Sequence, residues 1–177
     1  MSKFPASVVW ITGLSSAGKT TLAKEVYRLL KQKNLPVVLF DGDQLREIFK
    51  GQSNASHNYS KQERLDFAMK YAKLCLQVSS QDLIVIIATI SLFEEVHNWN
   101  RINIPNYFEV YLKVPIEELR RRDPKGIYKS FDKGELAQVA GLDLKIDEPE
   151  NADWVVEYDP ARTPQSLAHE LLQRSNL

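Results

Sequence analysis

Five strand-like apolar runs punctuate the chain, and between most of them apolar residues recur at helical spacing. Val8-Val9-Trp10-Ile11 is the first run, and its pattern predicts a strand over Val8–Thr12. Leu22, Val26, Leu29 and Leu30 then repeat every three to four positions, which predicts a helix over Lys19–Gln32. Asn34 and Pro36 end it. Val37–Phe40 and Leu83–Ala88 are continuous apolar runs, the pattern of strands covered on both faces. A short helix is expected over Leu45–Phe49, and a polar, turn-rich surface loop over Gly51–Tyr59. Ser60-Lys61-Gln62-Glu63 fits a capping box and opens a long helix marked by Leu65, Ala68, Met69, Ala72, Leu76 and Val78. Further on, the pattern predicts a helix over Phe93–Asn100, a strand over Tyr107–Val114, a helix over Pro115–Arg122, a strand over Trp154–Tyr158 and a helix over Thr163–Gln173. Asp123–Gly134 and Val139–Asn151 show no core periodicity and read as irregular. Strands alternating with helices give one α/β domain, residues 1–177, with a mainly parallel sheet.

One stretch changes this from a fold to a chemistry. Gly13-Leu14-Ser15-Ser16-Ala17-Gly18-Lys19-Thr20 fits G-x-x-x-x-G-K-[ST] and sits between a predicted strand and a predicted helix. That context marks a phosphate-binding P-loop and a three-layer P-loop NTPase fold. Successive backbone N–H groups at a helix start cradle phosphates, Lys19 reaches the β- and γ-phosphates, and the Thr20 hydroxyl suits Mg²⁺. ATP and Mg²⁺ are therefore the expected nucleotide and ion. A GTPase would add N-K-x-D for guanine, and the chain has none.

Asp41-Gly42-Asp43 follows the second strand, at the strand end where open α/β sheets bind ligands. One carboxylate can serve the metal shell and the other can accept the proton of an attacking hydroxyl. Arg46, one helical turn on, can bind an anionic acceptor. Arg120–Lys129 concentrates positive charge beside an irregular segment, which is expected to form a mobile cationic lid that neutralises the transferring phosphoryl group and excludes water.

Composition adds exclusions. Lys and Arg together number 23, as do Asp and Glu, so the charge balance gives no support for nucleic-acid or membrane binding. No apolar stretch approaches a membrane span and no secretory signal is visible, so a cytoplasmic protein is expected. The single cysteine, Cys75, falls in an apolar-periodic segment and reads as a buried thiol. His57, His97 and His169 share no metal-ligand spacing, and their roles are expected to be surface or structural. Trp10, Trp99 and Trp154 are expected to be packing residues.

Taken together the motifs resemble the adenylylsulfate kinase family over nearly the whole chain. Its P-loop G-L-S-x-A-G-K-[ST]-T is matched by Gly13 to Thr21, its D-G-D-x-x-R by Asp41 to Arg46, its R-D-P-K-G-x-Y-K by Arg122 to Lys129, and its G-[IL]-D by Gly141-Leu142-Asp143. The resemblance implies Mg²⁺-dependent transfer of the ATP γ-phosphate to the ribose 3′-hydroxyl of a nucleotide, adenylyl sulfate in the first instance. It implies catalytic roles for Lys19, Asp41 and Asp43, and nucleotide binding by Gly13, Ser15, Ser16, Ala17, Gly18, Lys19, Thr20 and Thr21. Thr20 and Asp41 would serve the metal. Arg46, Tyr59, Arg64, Phe67, Ile90, Ser91 and Val139 would bind the acceptor, and Arg122, Lys125, Gly126 and Tyr128 would form the lid. The loop after Gly141 would lie near the adenine of ATP. The family often forms dimers, so a homodimer is the assembly the resemblance suggests.

The departures cluster at the acceptor. Phe67 stands where the family has Asn, Met69-Lys70 replace an arginine pair, Ser91-Leu92 replace Ser-Pro, and Val139-Ala140-Gly141 replace a Phe-Thr-Gly whose ring stacks on the acceptor base. An aliphatic side chain offers no π-face. Some relatives found with surface-polysaccharide biosynthesis phosphorylate a different nucleotide, cytidine diphosphoramidate, and this is the alternative acceptor. A kinase for a non-nucleotide hydroxyl and a non-catalytic nucleotide-binding module are further readings.

Overall fold

A computed structural model describes residues 7–50 and 60–177. The predicted loop Gly51–Tyr59, with Tyr59 and His57, lies outside the described residues. The strands β1 (Val8–Gly13), β2 (Val37–Asp41), β3 (Ile84–Ala88), β4 (Tyr107–Lys113) and β5 (Trp154–Glu157) form one parallel sheet in the order β2-β3-β1-β4-β5. The β1 run is apolar throughout because helices cover both faces. Val9 and Ile11 join one core with Leu22, Val26 and Leu30 of α1 (Lys19–Gln32) and Leu171 of α7 (Pro164–Arg174). Val8 and Trp10, one residue out of phase, join the other with Tyr71 and Cys75 of α3 (Lys61–Ser79) and Val96 of α4 (Glu94–Asn103).

Helix ends follow local chemistry. Asn34 takes a left-handed conformation after α1, and the N–H groups of Asn34 and Leu35 donate to the carbonyls of Lys31 and Leu30. That is a Schellman stop, which Asn tolerates well. At α3 the Glu63 N–H donates to Ser60 Oγ and the Ser60 N–H to Glu63 Oε2, at 3.2 and 2.8 Å, closing the expected capping box.

Two expectations shift. α2 (Gly42–Lys50) starts directly at the end of β2, with Asp43 in its first turn, rather than at Leu45. The stretch Asp123–Gly134 is not wholly irregular: α6 (Ile127–Asp132) follows α5 (Ile116–Arg122). One and a half turns are too short for apolar periodicity to show. His97, on a polar helix, is buried, and its Nδ1 lies 2.6 Å from Oε1 of the buried Glu109, which also accepts from the Tyr107 hydroxyl. No helix among the described residues is long and apolar enough to cross a membrane.

Candidate active site

The loop after β1 turns on its glycines. Gly13 has a φ of +147°, and a Cβ there would sit 2.7 Å from the Leu112 carbonyl oxygen. Gly18, left-handed at φ +96°, caps α1 with no side-chain bond, and the first turn of α1 carries no acid. The helix start therefore presents bare N–H groups and a positive dipole end, an anion-binding arrangement. Lys19 arches back so that Nζ donates to the Leu14 carbonyl at 2.7 Å. Burial lowers its pKa to about 8; the charges of Asp43 and Asp41 oppose that fall and Lys125 adds to it.

Asp41 ends β2 beside Ala88 of β3. Its Oδ2 accepts from the Thr20 hydroxyl at 2.7 Å, and its Oδ1 accepts from the Asp43 N–H at 2.9 Å. One carboxylate thus joins the P-loop to the start of α2. The residue between the two acids has to be Gly, because a Cβ at position 42 would meet Thr89 Oγ1 at 2.8 Å and the Ala88 carbonyl at 3.2 Å. Asp43 pairs with Arg46 at 3.1 Å and with the Lys125 ammonium. Burial pushes its carboxyl upward, but the Lys125 hydrogen bond and the charges of Lys125, Arg46 and Lys19 outweigh that and hold it below the usual carboxylate range.

Arg46 and Arg64, from α2 and α3, line one narrow cavity of about 30 Å³ together with Ile90 and Ser91, which follow β3. Arg64 donates to the Gln138 carbonyl at 2.8 Å. Two expected acceptor residues lie off this cavity. The Phe67 ring packs beside Tyr71, 6.5 Å between centroids, with the Lys70 ammonium over it. Val139 is buried, and its N–H donates to Asp143 Oδ1 at 2.6 Å. Tyr71 and Phe93 supply the rings in the cavity wall instead. Tyr71 falls seven residues after Arg64, hence on the same helical face, a signal present in the sequence. Phe93 carries no comparable signal.

The turn after Val139 is pinned by Asp143, which accepts the N–H groups of Gln138 and Val139. Leu144, Lys145 and Ile146 line the cavity of Arg46 and Arg64. Ala140 and Leu144 form an isolated bridge at this turn, and a Cβ at Gly141 would meet the Leu14 side chain of the P-loop at 2.8 Å, so the same loop also abuts the phosphate cradle.

The cationic segment is largely neutralised. Arg120 pairs with Asp132, and Arg121 and Arg122 share Glu118. Arg122 also reaches the Ser16 carbonyl at 3.4 Å, and the Tyr128 hydroxyl donates to the Ser15 carbonyl at 3.1 Å. Lys125 is the member of this block whose charge meets Asp43.

A five-stranded parallel sheet, a P-loop and an acidic pair facing it define a P-loop kinase, a phosphotransferase that uses ATP. A sequence profile of the family described as adenylylsulphate kinase matches residues 5–157, and the chain belongs to that family. It is 39% identical over 149 residues to a cytidine diphosphoramidate kinase of Campylobacter jejuni, covering 84% of each chain. It is 35% identical over 152 residues to a probable adenylyl-sulfate kinase of Archaeoglobus fulgidus, covering 86% of this chain and 96% of that one. Its fold matches the Mycobacterium tuberculosis APS kinase solved with AMPPNP and APS, with a TM-score of 0.87 and 27% identity over 98% of this chain and 99% of that one.

Proposed function

We propose that this protein transfers the γ-phosphate of ATP to the ribose 3′-hydroxyl of an anionic nucleotide. The observation that carries the reading is Asp43: an ionised carboxylate held by Lys125 and Arg46, two residues from the Asp41 that bonds the P-loop Thr20. The triphosphate lies on the N–H groups of the loop and α1, with Lys19 on its outer phosphates. The Ser16 hydroxyl, buried without a partner among the described residues, is a further donor for phosphate oxygen. The Thr20 hydroxyl and the Asp41 carboxylate, 2.7 Å apart, are the hard oxygen donors that Mg²⁺ takes alongside phosphate and water. When bound, the ion neutralises charge on the phosphates.

The acceptor's 3′-oxygen forms the new bond to phosphorus as the bond to the β-phosphate oxygen breaks. ADP leaves, and the hydroxyl proton passes to Asp43. A weak base suffices, because phosphoryl transfer has a loose transition state and needs little prior deprotonation. Lys19 and Lys125 offset the charge on the transferring group.

The acceptor read first here is cytidine diphosphoramidate. Val139 lacks a π-face and lies off the cavity, as does Phe67, and the Campylobacter jejuni relative carries that name. Adenylyl sulfate is the second reading, favoured by the family profile and by the fold match. Coupled ADP release from MgATP with cytidine diphosphoramidate, adenylyl sulfate and other nucleotides tests both. The larger kcat/KM names the acceptor. Asp43→Ala should lower transfer by at least about 10³-fold while nucleotide binding persists. Full activity in that variant removes Asp43 from its role, and turnover on simple hydroxyl compounds but no nucleotide overturns the substrate class.

A further inference from the structure

Asp123 has no part in the site as described, yet it is 7% exposed and lies between α5 and the lid helix α6. Its Oδ2 accepts the Lys129 N–H at 3.0 Å, and its Oδ1 is buried without a partner among the described residues. A buried carboxylate is costly to keep unless its position is used. Lys129 is the third residue of α6, and the N-cap of that helix, Gly126, has no side chain to cap with. Asp123 therefore supplies the cap from three residues upstream.

The backbone around it is tied at both ends. The Asp123 N–H donates to the Leu119 carbonyl of α5 at 3.0 Å, and the Gly126 N–H donates back to the Asp123 carbonyl at 3.1 Å. Asp123-Pro124-Lys125-Gly126 is thus a closed four-residue turn, with Pro124 restricting its φ. Lys125 stands inside this turn and its ammonium meets Asp43. Tyr128, two residues past the turn, is buried and donates to the Ser15 carbonyl.

We infer that Asp123 is a positioning residue: by capping α6 within this turn, its carboxylate holds Lys125 at Asp43 and Tyr128 on the P-loop. The inference rests on the reading that Asp43 and Lys125 serve phosphoryl transfer. It requires the geometry of the accepting oxygen rather than the charge. An Asn at 123 can still accept the Lys129 N–H, whereas a Glu keeps the charge but displaces the oxygen by a methylene.

The test compares wild type, Asp123→Asn, Asp123→Glu, Asp123→Ala, Lys125→Met and the Asp123→Ala/Lys125→Met double variant, using the nucleotide that wild type turns over. Asp123→Asn should keep kcat within about threefold, while Asp123→Glu and Asp123→Ala should lose about 10- to 100-fold, the scale of a misplaced catalytic group. KM for ATP should stay near the wild-type value, and acceptor-independent ATP hydrolysis should rise relative to transfer. On the Lys125→Met background Asp123→Ala should add less than about threefold, because the lost group is already missing. Equal losses on both backgrounds, or a Glu variant more active than the Asn variant, overturn the inference. If the Ala variant does not fold, the Asn and Glu pair decides. Hydrogen exchange of the 127–133 segment needs no acceptor: protection should persist in Asp123→Asn and fall in Asp123→Glu. Unchanged protection in Asp123→Glu sinks the cap, whereas a wild type that phosphorylates no nucleotide sinks the function and leaves the cap standing.

Discussion

Raising the pH should strip nucleotide from this protein, because Lys19 carries its proton on a short lease. Burial brings its pKa from 10.5 down to about 8, with Lys125 pushing the same way and Asp43 and Asp41 resisting. A bound triphosphate restores the charged form by direct pairing. Binding above pH 8 must therefore take up a proton, and affinity falls with the fraction of Lys19 already charged. Between pH 7.5 and 9.5 that fraction drops about 25-fold, which is about 2 kcal/mol of binding free energy. Titration with a non-hydrolysable ATP analogue across this window should show that loss. Calorimetry at pH 9 in buffers of different ionisation enthalpy should show uptake of close to one proton. Asp43 does not confuse the window, since its carboxyl sits below the ordinary carboxylate range and stays ionised throughout. Lys19→Arg supplies the control, because a guanidinium keeps its charge to far higher pH and its affinity should be flat. A wild-type Kd that changes less than about threefold from pH 7.5 to 9.5 would refute the reasoning, since the linkage in a single titrating Lys19 allows no smaller effect. The same shift bears on stability with a defined sign. The unfolded chain holds the Lys19 proton between pH 8 and 10.5 while the native chain has released it, so this group's contribution to stability rises with pH through that window.

Gly42→Ala should separate β2 from β3, because the new Cβ meets Thr89 and the Ala88 carbonyl. Displacing Asp41 and Asp43 together should cost about 10- to 100-fold in kcat, and a fully active variant would show that the junction yields. His97→Ala takes a partner from Glu109, which is 2% exposed, and leaves it Tyr107 and Arg101. The expected loss is about 2 kcal/mol, or a Tm lower by about 4–8 °C, with kcat unchanged; an unaltered melting curve would contradict it. Cys75 is fully buried and burial pushes its thiol well above the ordinary range. It should resist thiol reagents in the native protein and react promptly in denaturant, and rapid native labelling would contradict the burial argument.

Local order was legible from residues alone. Strands, long helices, the capping box at Ser60 and the stop at Asn34 each depend on neighbours a few positions apart, so periodicity and cap chemistry report them. The P-loop was legible for the same reason: its glycines, Lys19 and Thr20 are contiguous, and one turn of backbone makes the phosphate cradle. Asp41-Gly42-Asp43 could be recognised as a ligand-facing pair, but the reason for its central Gly could not. That lies in Thr89, 47 positions away in sequence and adjacent only across the β2–β3 pairing. The tertiary structure also decided which charges are available. Arg120, Arg121 and Arg122 look alike in sequence, yet Asp132 and Glu118 neutralise them and leave Lys125 to meet Asp43. The cavity lined by Arg46 and Arg64 shows the same division. Arg46 and Arg64 were foreseeable, and Tyr71 could be read from its helical face, while Phe93 in the same wall carried no signal. A sequence states which side chains are present; which ones converge on a common volume is decided by packing between elements distant along the chain, here α2, α3 and the turn that Asp143 pins.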